Sequence, residues 1–224
     1  MEIEYEKLKG VPLFDGIKQM DLQAMLKCLD VRVKSYKRGE MIFREGDDAE
    51  FVGLVLSGSV QIVRDDYYGN RSIMATVKEK QMFGETFSCS DMKQLPVSVY
   101  ANVDTVVMLM DVRRIIRTCS SACIFHSTLI HNLLRNVVEK NLMLNQKIEF
   151  TSRKTTKEKI MAYLLAKAKE CGSDSFTIEY DRQSLADYLG VERSAMSAEI
   201  GKLKREGYIE VQKSHFRILK NMPL

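Results

Sequence analysis

The side chains best placed to do chemistry in this chain are donors rather than nucleophiles. Arg193, Ser194, Ser197 and Lys204 are spaced so that a helix turns them outward, while Ala195, Met196, Ile200 and Leu203 recur on its apolar side. A guanidinium and small hydroxyls on the first turns of a helix suit donation to base edges in the major groove of DNA. That groove alone shows a distinct donor and acceptor pattern for every base pair. A second helix is predicted just before this one. Asp181 can accept the free N–H groups of its first turn, Leu185, Ala186 and Leu189 give it an apolar face, and Gly190 can close it in left-handed backbone. Residues 181–211 therefore read as two short helices about a tight turn. An ordinary helical hairpin with a solvated face has the same apolar pattern, so charge has to separate the two.

The chain holds 34 Lys and Arg against 30 Asp and Glu; residues 151–224 contain 14 basic and 10 acidic, which leaves 20 of each in residues 1–150. The whole excess lies in the C-terminal third. Lys202, Lys204, Arg205, Lys213, His215, Arg217 and Lys220 gather in and after the second helix. Phosphate contact needs such a local basic surface, whereas a merely solvated face mixes signs. The run GYIEVQKSHFRIL predicts two short strands about a turn at Gln212–Ser214. That would make the unit a winged helix-turn-helix, with Lys213 and Arg217 on the wing where backbone phosphate is in reach.

These elements need a scaffold, and 224 residues at 45% hydrophobic and 29% charged can bury more than one core. No apolar run approaches membrane-spanning length and MEIEYEKLKG is charged, which places the expected site of action in the cytoplasm. Residues from about 31 to 112 alternate Val-, Ile-, Phe- and Tyr-rich runs with turn signals, Gly39, Gly46, Gly58, Gly69 and Gly84 falling at the breaks. A small antiparallel barrel or jelly roll follows. His126, His131 and His215 all lie outside it, so a histidine-rich metal site is not available there and no metal is assigned. Cys28, Cys89, Cys119, Cys123 and Cys171 make no framework of disulfides, and they read as buried and inert more than as a thiol switch. The methionines, Met74, Met82, Met92, Met108 and Met110 among them, are expected to fill an irregular core.

From about Ser121 to Phe150 the chain lacks Gly and Pro. Ile130, Leu134, Val137, Asn141, Leu144 and Ile148 follow alternating steps of four and three, the spacing of a coiled-coil seam. Asn141 would fix a parallel register. Leu129, Leu133, Val138 and Leu142 give a second face, able to lie on the helix's own barrel. A homodimer is expected from the seam, because a half-site reader works in two copies.

A glycine-broken barrel, a long dimerisation helix and a C-terminal winged helix-turn-helix together resemble the bacterial Crp/Fnr superfamily of transcription regulators. The local marks are LSGSVQI around Gly58, the Phe83-Gly84-Glu85 run and RQSLADYLGVERSAMS. The resemblance covers nearly the whole chain. It implies an α+β fold in three parts: an antiparallel β-roll sensor domain at 1–120, a dimerisation helix at 121–150 and a winged helix-turn-helix at 151–224. It also implies sequence-specific binding of a palindromic promoter site in double-stranded DNA, a small-molecule effector of unknown identity, and RNA polymerase as partner if the protein activates. No catalysis and no cofactor are implied.

Position by position, Arg182 and Gln183 match the family's phosphate-contacting start of the first helix, and Arg193 a base- or phosphate-contacting arginine. Ser194 and Ala198 stand where the family's catabolite-activator branch has Glu and Arg, so the target sequence should differ. In the barrel, Gly84 and Glu85 match the start of the segment that holds a cyclic nucleotide, and Leu144 and Asn145 match helix positions that meet the purine. Leu95 and Pro96 stand where that segment ends in Arg-Ser. Neither can neutralise a phosphate, so cyclic AMP binding by the usual route is not expected, and Glu85 reads as a polar turn residue. Only Cys28 precedes the barrel, too few thiolates for the family's iron–sulfur cluster, and no barrel histidine can hold haem. The alternative function is a ligand-binding regulatory module acting on a protein partner, which has no use for a basic winged helix.

Overall fold

A computed structural model describes residues 5–65, 71–116 and 124–219. The structure divides into two units between Glu139 and Lys140, inside the long helix. In the first unit, α1 (Gln19–Cys28) precedes β1 (Arg32–Tyr36), β2 (Met41–Phe43), β3 (Phe51–Ser57), β4 (Ser59–Asp65), β5 (Arg71–Lys78) and β6 (Met82–Phe83). A short α2 (Glu85–Ser88), then β7 (Ser98–Ala101), β8 (Thr105–Asp111), α3 (Val112–Ile116) and the long α4 (Ile124–Thr151) follow. The strands make two four-stranded sheets, ordered β1-β8-β3-β6 and β2-β7-β4-β5, and every pairing is antiparallel. This is the expected antiparallel roll. Gly39, Gly46, Gly58 and Gly84 all have positive φ; Gly69 lies outside the described residues.

Strand alternation divides the roll's apolar residues between two cores. Val52, Leu54 and Leu56 of β3 and Met108 and Met110 of β8 join Leu13, Met25, Leu129 and Leu133. Val55, Val107 and Leu109, one residue out of phase on the same strands, join Phe43, Val60, Val77, Phe83, Leu95 and Val99 from both sheets. β6 comes so close to β3 that a Cβ on Gly53 would lie 2.1 Å from the Phe83 ring, so only glycine fits there. Met82, Met108 and Met110 are core residues, but Met74 and Met92 are not, at 56% and 47% exposure. Met74 is on β5, an edge strand, and Met92 is in the exposed run after α2.

The first half of α4 belongs to the roll. Leu129 and Leu133 are buried in it, and the buried Asn132 amide donates to the carbonyls of Leu13 (3.0 Å) and Asp15 (2.8 Å). Beyond Leu133 the apolar residues of α4 are exposed until Phe150, which is buried in the second unit. Val138 and Leu142, expected on the barrel-facing side, are 47% and 58% exposed. That face is therefore covered only near its start.

In the second unit, α5 (Thr156–Cys171) begins with a reciprocal capping box between Thr155 and Glu158 and ends at left-handed Gly172. β9 (Ser175–Thr177), α6 (Arg182–Leu189), α7 (Arg193–Arg205), β10 (Ile209–Gln212) and β11 (His215–Ile218) complete it, the strands forming one antiparallel sheet in the order β10-β11-β9. Its core joins Ile160, Leu164, Leu185, Leu189, Met196, Ile200, Leu203 and Phe216. Phe150 meets Tyr163 edge-on at 5.7 Å, while Tyr180 stacks on Tyr188 at 5.1 Å.

Candidate nucleic-acid interface and effector cradle

The Asp181 carboxylate caps α6, accepting from the Ser184 N–H at 2.7 Å, and Gly190 closes it at φ 60°. The turn then leads into α7, whose cap the sequence did not suggest. Glu192 accepts from the N–H groups of Ser194 (2.9 Å) and Ala195 (2.8 Å) and from the Ser194 hydroxyl. Glutamate is not among the favoured N-cap residues, so propensity carries no signal for it. Hydrogen bonds from Ser184 lower the Asp181 carboxyl and those from Ser194 lower that of Glu192, and the Arg193 charge adds to both effects. The start of α7 is thus capped and carries its own anion.

α7 buries Met196, Ile200 and Leu203 and exposes Arg193, Ser194, Ser197, Ala198 and Lys204. Ala195, placed by its spacing on the apolar side, is exposed as well, at the edge of the face that Met196 buries. The side chains of Arg193, Ser197 and Lys204 make no hydrogen bond or ion pair among the described residues, whereas the Ser194 hydroxyl is bound to its own cap. Gln183 also turns inward on its helix, donating to Asp187 at 2.9 Å.

The wing is a two-residue turn, with Gln212 opposite His215 and Lys213 at φ 55°. Lys213 is exposed. Arg217 sits directly opposite Glu210 in the ladder and approaches it at 3.8 Å, both side chains well exposed, so its charge is partly answered on the wing itself. His215 is bracketed by the hydroxyls of Ser175 and Thr177, each 3.0 Å from a ring nitrogen. Arg182 lies over the Phe216 ring at 5.1 Å and donates to the Lys213 carbonyl at 3.2 Å. Desolvation there lowers its guanidinium from the usual arginine range. Lys220 lies outside the described residues.

The cradle residues fall in both units. Gly84 (φ 85°) turns the chain so that Glu85, the first residue of α2, is buried at 3% exposure. Glu85, read from the sequence as a polar turn residue, does follow the turn, and it is buried there. A Cβ on Gly84 would come within 3.2 Å of the Phe51 carbonyl in an already left-handed backbone. At the far end of the segment Leu95 is 4% exposed within the core between the sheets, and its N–H and carbonyl pair with Asp47 and Gly46 (both 2.9 Å). Pro96 follows it, half-buried. An apolar side chain pinned this way brings no cation to a phosphate. Leu144 and Asn145, in the second unit, are exposed, and Asn145 donates to Asn141 at 2.8 Å.

Cys28, Cys89 and Cys171 are exposed free thiols, not the buried ones expected. Desolvation, aided by Glu85, pushes the Cys89 thiol up, away from the reactive thiolate. Cys119 and Cys123 lie outside the described residues. Among the described residues no three His, Cys, Asp or Glu side chains gather to hold a metal. No helix of these residues is long and apolar enough to cross a membrane.

A β-roll joined by a long helix to a winged helix-turn-helix defines a class of DNA-binding regulator with an attached sensor domain. Residues 33–122 match the cyclic nucleotide-binding domain family and residues 158–222 the Crp-like helix-turn-helix domain family. The chain is 25% identical over 205 residues to the cyclic AMP receptor protein of Thermus thermophilus, covering 91% of this chain and 90% of that one. It is 24% identical over 201 residues to the global nitrogen regulator of Synechococcus elongatus, covering 88% and 89%. Its fold matches that of the c-di-GMP responsive global regulator of Xanthomonas campestris with a TM-score of 0.56 at 16% identity, over 89% of this chain and 100% of the other. The chain belongs to the Crp/Fnr family of transcription regulators.

Proposed function

We propose that this regulator acts as a homodimer on a palindromic promoter site, each copy reading one half-site with α7. Arg193 reads a base edge, Ser197 and Lys204 flank it, and Lys213 on the wing holds backbone phosphate. The observation that carries this reading is the capped α7, which presents Arg193, Ser197 and Lys204 to solvent with no side-chain hydrogen bond or ion pair among the described residues. Dimerisation is supported by one helix face: Leu134, Val137, Leu144 and Ile148 are 60%, 37%, 60% and 62% exposed, with Asn141 among them and Ile130 half-buried at the start. Four apolar side chains in one stripe are what a coiled-coil partner covers.

Labour divides along the chain as 1–120 for sensing, 121–150 for dimerisation and 151–224 for DNA. The roll answers to an effector that brings no phosphate to the Leu95–Pro96 end, and no catalytic step is assigned to either unit. Action on DNA places the protein in the cytoplasm, with RNA polymerase as partner if the site is an activating one.

Selection of bound duplexes from a random pool tests the reading. A motif of two inverted half-sites, bound with an affinity that falls steeply with salt, is the expected result. Recovery of no motif would reduce the winged helix to non-specific DNA binding.

A further inference from the structure

We propose that Arg182 is the residue that positions the wing, and that it acts on DNA through Lys213 rather than by touching phosphate itself. The inference rests on the DNA-reading role of the same unit and assigns one residue's part in it.

Arg182 opens α6, and its guanidinium reaches across to the β10–β11 turn, not out from the helix. One nitrogen donates to the Lys213 carbonyl at 3.2 Å, and the guanidinium carbon lies 5.1 Å from the centre of the Phe216 ring, itself fully buried. Lys213 is one of three non-glycine residues with positive φ among the described residues. A lysine in left-handed backbone is disfavoured unless its surroundings hold it there. Of the two turn carbonyls, that of Ser214 accepts from the Ile178 N–H at 3.0 Å and that of Lys213 accepts from Arg182. The base of the wing is tied to β9 by Phe216, His215 and Arg217; its tip is held by Ile178 at the Ser214 carbonyl and by Arg182 at that of Lys213, the residue with positive φ.

The arrangement has a chemical logic. A cation over an aromatic face that also donates to a carbonyl has committed part of its donor fork, and it is partly desolvated. A phosphate contact calls for the opposite, an exposed cation with its donors unused. Lys213 is such a cation, its exposed side chain without a partner among the described residues, and its backbone is what Arg182 holds. Fixing the wing tip before DNA arrives lowers the ordering cost of the Lys213 contact.

The test uses the full chain in two measurements. In the free protein, amide hydrogen exchange at residues 212–215 should speed about tenfold in Arg182→Met, which keeps an apolar stem over Phe216 but no donor. Protection of α7 should be unchanged, and Arg182→Lys should restore part of the wing's protection. Unchanged wing exchange in Arg182→Met would overturn the proposal whether or not the chain reads DNA.

The second measurement is a double-mutant cycle on the selected duplex. Arg182→Met should weaken binding about tenfold in the wild-type background and less than about twofold in Lys213→Ala, because both changes act on the same phosphate. The salt slope should drop equally in the two single variants and no further in the double. Additive effects, with two separate drops in slope, would make Arg182 a phosphate contact in its own right. If no duplex is selected, the DNA reading fails, and the exchange measurement alone decides whether Arg182 holds the wing.

Discussion

The two units handle polar groups in opposite ways. In the second, Arg193, Ser197 and Lys204 on the capped α7 and Lys213 on the β10–β11 turn stand in solvent. In the first, the segment that matches the family's ligand-holding stretch runs inward, with Glu85 at 3% exposure and Leu95 at 4%. A polymer of fixed negative charge is met by a surface, and surface cations show themselves as charge in a sequence. A small effector is met by an interior, where the meaning of each side chain depends on which others face it.

The sharpest way to break this contrast is to remove the second copy. Val137→Asp with Leu144→Asp places charges in the exposed apolar stripe of α4. The variant should sediment as a monomer, against a wild-type dimer of twice 25.7 kDa, and bind a two-half-site duplex about 100-fold or more weakly. A wild type that is already monomeric at micromolar concentration would leave the stripe without a partner helix and sink the dimer reading.

A smaller effect separates reading from holding within the second unit. Arg193→Ala should cost roughly 1–3 kcal/mol and relax preference at one base pair per half-site. Lys213→Ala should instead weaken all sequences alike and lower the salt slope by about one for each phosphate that a subunit no longer holds. If both variants kept the selected motif and its affinity, α7 would not be the reader.

Tyr163 probes how dry the second unit's core is. Its hydroxyl is buried with no hydrogen-bond partner among the described residues, and burial, then Tyr180 and Tyr188, push the phenol far above its ordinary range. Tyr163→Phe should therefore raise stability by about 1 kcal/mol, read from urea unfolding, since the removed group is unsatisfied. For the wild type the sign with pH follows from the raised value. The neutral phenol's contribution is complete below the unfolded tyrosine range near 10, and it is lost as pH climbs past that toward the folded value. The Tyr163 share of the phenolate absorbance, taken as the difference between wild type and Tyr163→Phe, should appear only with unfolding; its earlier appearance in the folded protein would contradict the buried ring.

The smallest expected effect is none. Cyclic AMP or cyclic GMP should leave the melting temperature unchanged, where a ligand at ~100 times its dissociation constant would stabilise by about 2.7 kcal/mol. A saturable shift of that size would erase the distinction between a surface that meets phosphate and an interior that does not.

The legibility of the chain divides differently, between local pattern and tertiary contact, within both units. The caps at Asp181 and Gly190, the wing turn, the antiparallel roll and the exposed stripe of α4 all rest on local pattern, and residue order alone points to each. Glu192 as the cap of α7 is invisible in the sequence, because glutamate is unremarkable at that position and its role depends on where three donors converge. Arg182 is legible as a cation at a helix start but not as a partner of residue 213. That pairing exists only once β11 has folded back beside α6. Glu85 is legible as a polar residue at a turn, but its burial is not, being a property of the turn at Gly84 and not of the glutamate. Met74 and Met92 are misplaced because hydrophobicity does not say which strand will be the edge or which run will stay a loop.

Glu192 has a further consequence, for the search along a chromosome. The positive end of a helix dipole commonly grips phosphate, and such a grip is blind to sequence. In α7 that end is filled by a carboxylate hydrogen-bonded to Ser194 and Ala195. If α7 is the reader, off-target phosphate should meet a neutralised helix end, and wrong sites should hold the protein more loosely and be left sooner. Trading Glu192 for a neutral Ser would keep a cap but lengthen those dwell times, visible as slower arrival at a single site embedded in long DNA.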